Sequence, residues 1–230
     1  MALVYRSVKG QALTSAEADE NFRFLRENDD GLLLPKTQNK GILVDVAAPD
    51  FPWHDLRSDM VLAGDVNDPT FVTYQGNIRQ LQFDVLDEVS TVFHLPHDYA
   101  MGTDIFIHVH WSHNSGIITT GDITGNFEVS YAKGHDQASF NTPVVLALNN
   151  IPASLIRYQH IITEGQLSAA LGAGGLLNTA NLEPDGLLLC RLQMTANTMD
   201  GGAKPFVHAI DIHYQSTAVG TKQKTPDFWT

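Results

Sequence analysis

Five of the chain's ten histidines fall between His94 and His113, in the stretch HLPHDYAMGTDIFIHVHWSH. Imidazoles ligate metals and move protons near neutral pH, so such a cluster invites both readings. His108 and His110 alternate along a run of β-forming residues, which places both rings on one face of a strand, where they could reach one ion. A third ligand is harder to find. Positions 114 and 115, where a carboxylate would be needed, are Asn and Ser, and His113 could join only from a loop. Near the other end, His208 and His213 in FVHAIDIHY have odd spacing and should face opposite ways on a strand. No G-x-S-x-G or H-E-x-x-H motif selects a nucleophile or a zinc-bound water. The acidic groups Asp84/Asp87/Glu88 and Asp98/Asp104 could in principle serve glycoside hydrolysis, but they read as solvated loop acids. The glycine-rich GAGGLL at 172–177 lacks the following lysine of a phosphate cradle. The expectation is therefore a non-enzymatic chain with no catalytic residues and no cofactor.

The elements that would carry these residues are strands. Val89, Thr91, Phe93 and Leu95 alternate with mixed neighbours up to Pro96, and Ile105, Ile107, Val109 and Trp111 share one face of the next run. Further strands are expected near 60–63, 71–74, 78–85, 126–131, 143–148, 158–163, 187–194 and 206–215. They are separated by turn signals such as Asn67-Asp68-Pro69, Gly76-Asn77, Asn114-Ser115-Gly116 and Asp185-Gly186. One short helix is expected over Gln166–Leu171, ending at Gly172. Many short strands with little helix predict a mainly β chain, an antiparallel β-sandwich of jelly-roll type spanning 58–230.

Residues 1–57 read differently, as a helical anchoring arm. Thr14 and Glu17 form a capping box, and Ala18, Phe22 and Leu25 recur at helical spacing, with Leu13 just ahead. A helix over about 15–28 is too short to stand alone, so its apolar stripe should dock on a partner. Pro35, Pro49 and Pro52 mark an extended linker behind it. At the far end Phe228 and Trp229 close a polar tail and predict a clasp on a neighbouring subunit.

Composition narrows the partners. The net charge of −12, with no basic cluster beyond Lys222 and Lys224, excludes nucleic acid. Charged residues make up only 17%, against a typical ~25%, which suggests surface covered by neighbours. The single cysteine, Cys190, excludes an internal disulfide and reads as a small buried apolar residue. MALVYRSVKG holds no apolar leader, and no run reaches the ~18–20 apolar residues of a membrane span. The chain is thus expected to be made in the cytoplasm, soluble and without membrane insertion.

The N-terminal pattern L-T-x-A-E-x-D-x-N-F, carried by Leu13, Thr14, Ala16, Glu17, Asp19, Asn21 and Phe22, resembles a segment of tailed-bacteriophage virion proteins of tail-fibre and head-appendage type. LPHDYAMGTDIFIHVHWS and the ending HAIDIHYQSTAVGTKQKTPDFWT resemble a phage structural β-domain. The resemblance covers about a third of the chain and brings no catalytic residues. It implies a virion component assembled in the host cytoplasm, a homotrimer docked through its arm onto other virion proteins, with a host cell-surface receptor as a further partner. Three copies of His108-x-His110 meeting on an axis could then hold one structural ion. Two alternatives stand beside this. One is a receptor-binding lectin-like domain. The other is a cupin-like metal-dependent enzyme, because Gly102 followed after five residues by His108-x-His110 matches the first half of that family's motif, while its second half is missing.

Overall fold

Period-two alternation of apolar residues from Thr70 to Gln215 cannot be satisfied by one sheet alone, since its apolar face needs a cover. The computed structural model, which describes residues 14, 51–150, 155–217 and 224, answers with two antiparallel sheets packed face to face. The strands are β1 (Trp53–Ser58), β2 (Thr70–Gln75), β3 (Ile78–Gln82), β4 (Glu88–His94), β5 (Ile105–His113), β6 (Ile123–Ala132), β7 (Val144–Asn150), β8 (Ile161–Gln166), β9 (Ser168–Ala169), β10 (Leu177–Asn178), β11 (Leu187–Asn197) and β12 (Pro205–Gln215).

The six-stranded sheet runs β2-β3-β12-β5-β8, with β1 also paired to β12, and the four-stranded sheet runs β4-β11-β6-β7. Within that order β3-β12-β5-β8 faces β4-β11-β6-β7, the jelly-roll interleaving. The expected mainly β, antiparallel sandwich is the observed architecture. Its core holds Phe83, Phe93, Ile105, Ile107, Trp111 and Phe127, among others, all essentially inaccessible. The indole of Trp111 donates to Thr163 Oγ1 at 3.0 Å, so its one polar atom is satisfied inside the apolar layer. Cys190 is buried as expected, and burial pushes its thiol well above the ordinary range.

Several local expectations are corrected. β1 falls in a stretch read as linker, and it pairs with β12 from Trp53↔Gln215 to Ser58↔Ile210. It lies at the sheet's margin and is mostly exposed, so its sequence lacks the buried alternation that marks a strand. The boundary expected between residues 57 and 58 thus falls inside β1, and by contacts the chain divides after Asp50. At 60–63 only a single bridge forms, Val61↔Ser90. The helix expected over Gln166–Leu171 is absent. Gln166 ends β8, Ser168–Ala169 pairs with β10, and Ala170–Gly175 is a 3-10 turn in which Leu171, Gly172 and Gly174 take positive φ. Three glycines with no side-chain cap give a helix neither start nor stop.

Of the anchor residues only Thr14 is described, and it is exposed. Leu13, Glu17, Ala18, Phe22 and Leu25, the helix over 15–28, and Phe228 with Trp229 lie outside the described residues. Among the described residues no helix is long and apolar enough to cross a membrane.

Candidate metal centre on the outer face of the six-stranded sheet

β5 lies inside its sheet, between β12 and β8. Its alternation sends Ile105, Ile107, Val109 and Trp111 into the core, leaving Phe106, His108, His110 and Ser112 on the outer face. Register decides what meets them. On β12, Asp211 lies opposite His108 and His213 opposite Phe106. On β8, Glu164 lies opposite His108, and on β1 Asp55 lies opposite His213.

The side chains join accordingly. His108 donates from Nε2 to Glu164 Oε2 at 2.8 Å, and its Nδ1 lies 3.4 Å from Asp211 Oδ1. His110 Nε2 meets Asp211 Oδ2 at 2.6 Å, and its Nδ1 meets His160 Nε2 at 2.8 Å, with the two rings stacked. The His213 ring sits 4.8 Å from that of His108, centroid to centroid. Its Nε2 is 3.7 Å from Asp55 Oδ1. His108 and Asp211 are only 9% and 7% exposed, so the centre of this network is shielded from water although it lies outside the core. Two sets, His108/His110/Asp211 and Asp55/His108/His213, each bring three ligand atoms within 4.8 Å of one another.

The remaining histidines go elsewhere. His113, five residues after His108 and so of opposite parity to it, ends β5 fully buried, away from His108 and His110. His94, His97 and His135 converge on Asp185, at 3.4, 3.0 and 2.8 Å. The five clustered histidines therefore serve three separate places. His208 overturns its expectation in the other direction. A β-bulge between Val207 and Ala209 shifts the register, so His208 reaches the same outer face as His213. Its Nε2 meets Ser112 Oγ at 2.7 Å, and Tyr74 Oη meets the same hydroxyl at 2.7 Å. Burial, then the charges of His160 and His110, pushes the His208 imidazole below its ordinary pKa.

The acids read as solvated are more occupied than expected. Asp98 accepts from Ser216 Oγ at 2.6 Å and from Tyr214 Oη at 3.2 Å. Asp84 pairs with Lys204, and Glu88 with Arg191. Between the sheets an apolar cavity of about 50 Å³, lined by Phe83, Val109, Trp111, Leu148, Leu192 and Met194 among others, is far below the ~300 Å³ of a small-molecule site. A larger hollow of about 350 Å³ beside Tyr131, Asn141 and Leu182 carries one charged side chain, Lys133, which pairs with Glu183 at 3.0 Å. The chemistry-bearing groups are on the outer sheet face.

Sequence reasoning finds His108 and His110 and weighs His213 only as a partner of His208, but misses Asp211, Glu164, His160 and Asp55. The one local signal was Asp211-x-His213, the same alternation on the last strand.

No family model matches this chain, and no curated protein matches it. Among solved structures it is similar to TmCBM61 in complex with beta-1,4-galactotriose, at 10% identity and TM-score 0.26, over 71% of this chain and 89% of that one. It is also similar to Eiger TNF from S. frugiperda, at 10% identity and TM-score 0.25, over 74% of this chain and 97% of that one.

Proposed function

We propose that this chain is a non-enzymatic structural component of a tailed-phage virion, of tail-fibre, fibre-adaptor or head-appendage type. Its β-domain assembles as a homotrimer, and its N-terminal arm docks on another virion protein after synthesis in the host cytoplasm. The observation that carries this reading is the L-T-x-A-E-x-D-x-N-F segment, Leu13 to Phe22, set ahead of a β-sandwich that begins near Phe51. The low charged fraction and the jelly-roll architecture support it.

The test removes the arm's apolar stripe. Phe22→Ala with Leu25→Ala should abolish incorporation into particles while the β-domain keeps its melting temperature, since truncating such side chains at an interface costs ~2–5 kcal/mol. Particles carrying normal amounts of the double variant would sink the docking role. Light scattering on the purified chain should give the mass of three chains.

One observation favours a receptor-binding, lectin-like domain as the second reading. Trp53 is 45% exposed and packs edge-on to Phe106 at 5.6 Å and beside His213 at 4.9 Å. An exposed indole braced by a phenyl ring and an imidazole suits a sugar ring. Binding of the intact chain to glycans, lost in Trp53→Ala, would favour it.

A further inference from the structure

His108 Nδ1 and Asp211 Oδ1 pose a problem of proton accounting. Glu164 is a carboxylate that accepts from His108 Nε2, which fixes that nitrogen as the protonated one in the neutral ring. Nδ1 is then a lone-pair acceptor. It faces Asp211 Oδ1, another acceptor, at 3.4 Å. That oxygen is buried and makes no hydrogen bond, although buried carboxylate oxygens are rarely left so. Two acceptors turned toward each other in a shielded place call for a positive charge between them. An extra proton on His108 is one answer; a metal ion is the other.

The spacing and the surroundings favour the ion. Ligands held ~2.0–2.1 Å from a tetrahedral zinc are separated by roughly 3.3–3.4 Å, the gap between His108 Nδ1 and Asp211 Oδ1; the 2.6 Å hydrogen bond of His110 Nε2 to Asp211 Oδ2 would give way as the ion takes the place of its proton. His110 Nε2, on the adjacent outward position of β5, already reaches the other oxygen of the same carboxylate. Each histidine engages its second ring nitrogen behind the site, His108 with Glu164 and His110 with His160, both at 2.8 Å. Ligand histidines are oriented and made more basic in this way. The ligands stand on β5 and β12, strands held in fixed register by their ladder, so the site is set by the sheet rather than by a loop.

We propose that His108 through Nδ1, His110 through Nε2 and the Asp211 carboxylate bind one divalent first-row transition ion of the zinc type in every chain. Two imidazoles with one carboxylate exclude calcium and magnesium, which want oxygen ligands. Three protein ligands leave a fourth position for water or for a donor from another molecule. The neighbouring set Asp55/His108/His213 shares His108, whose Nδ1 can serve one ion only. Its Asp55 side chain is 65% exposed, whereas Asp211 is buried, so the ion belongs to the Asp211 set. This assignment does not depend on the virion reading, and it differs from a ring of three His108-x-His110 pairs because the third ligand comes from the same chain.

The test uses the untagged full-length chain, stripped with chelator and titrated with Zn²⁺ by calorimetry and with Co²⁺ by its visible d–d absorption. The expected result is one ion per chain and the strong visible bands of four-coordinate cobalt. Glu164→Gln should weaken binding about 10- to 100-fold, Asp211→Asn should weaken it further, and His213→Asn should leave it unchanged. Should Asp211→Asn fail to fold, imidazole NMR of the unsubstituted chain decides instead, with Zn²⁺ moving the His108 and His110 signals and sparing those of His94, His97 and His135. Absence of stoichiometric binding, one ion per three chains, or loss of binding in His213→Asn with retention in Asp211→Asn would each overturn the proposal.

Discussion

His113 ends β5 with its ring fully buried, and neither ring nitrogen makes a hydrogen bond of normal geometry. Burial pushes its pKa below the ordinary value, and the backbone of Leu155 opposes that only partly. The sign of the consequence follows from where the proton binds. Below about pH 6.5 the unfolded chain protonates this imidazole while the folded chain holds it neutral. Stability is therefore lost as pH falls through that value, and nothing is lost above it. His113→Phe should shrink the drop in melting temperature between about pH 7.5 and 5.5. An unchanged slope would assign the acid sensitivity elsewhere, with His208, lowered for the same reason, the next group to replace. Asp98 illustrates the opposite use of a polar group. It accepts from the Tyr214 and Ser216 hydroxyls, and its own carbonyl accepts from the Thr217 amide at 2.7 Å. Burial first and the Asp98 charge second push the Tyr214 phenol up to about 12. Asp98→Ala should cost ~1–3 kcal/mol through orphaned hydroxyls and bring the phenol's titration down. A phenol that titrates unchanged would show that burial alone sets it.

At the scale of elements, what was legible depended on whether a strand buries one face. β4, β6 and β11 alternate because one side of each meets the core, while β5 and β12 keep alternating apolar residues in sequence although much of their outer face is also covered, and local pattern was enough to find all five. β1 buries almost nothing and left no such trace. β8 begins and ends three residues later than its sequence predicts, because Gly165 and Gln166 break the apolar run. A Cβ at Gly165 would come within 2.5 Å of a methyl of Leu146 and 2.6 Å of one of Leu148 from the facing sheet, so any larger residue there makes those leucines shift. The candidate site divides the same way. His108-x-His110 is a property of one strand and could be read directly. Asp211 and Glu164 are partners only through the registers of β5 with β12 and with β8, which no local pattern encodes. The facing of His208 depends on a bulge, and a single inserted residue inverts any parity argument beyond it.

Across the β-domain, distant segments are gathered by a few polar hubs as well as by the core. Asp185, with φ of 62°, turns its carboxylate toward histidines from the end of β4, from the β4–β5 loop and from the β6–β7 loop. Asp185→Asn keeps a side chain that tolerates positive φ but removes the charge that the three rings share. Amide exchange should then accelerate at 97–98 and 134–137 while the sheets remain protected. Uniform protection would mean that the rings are held by packing alone.

The strand order also sets a schedule. β12 is the last of the described strands to be synthesised, yet it sits inside the six-stranded sheet, bonded to β5 on one side and to β3 and β1 on the other. Until it emerges from the ribosome, β3, β5 and β1 have no neighbour on the side β12 will occupy. A nascent chain therefore waits with open strand edges, the state most prone to wrong pairing. Its long-range contacts also make closure slow. Completion of the fold is a single late event, so His108 meets Asp211 only after nearly the whole domain has been made.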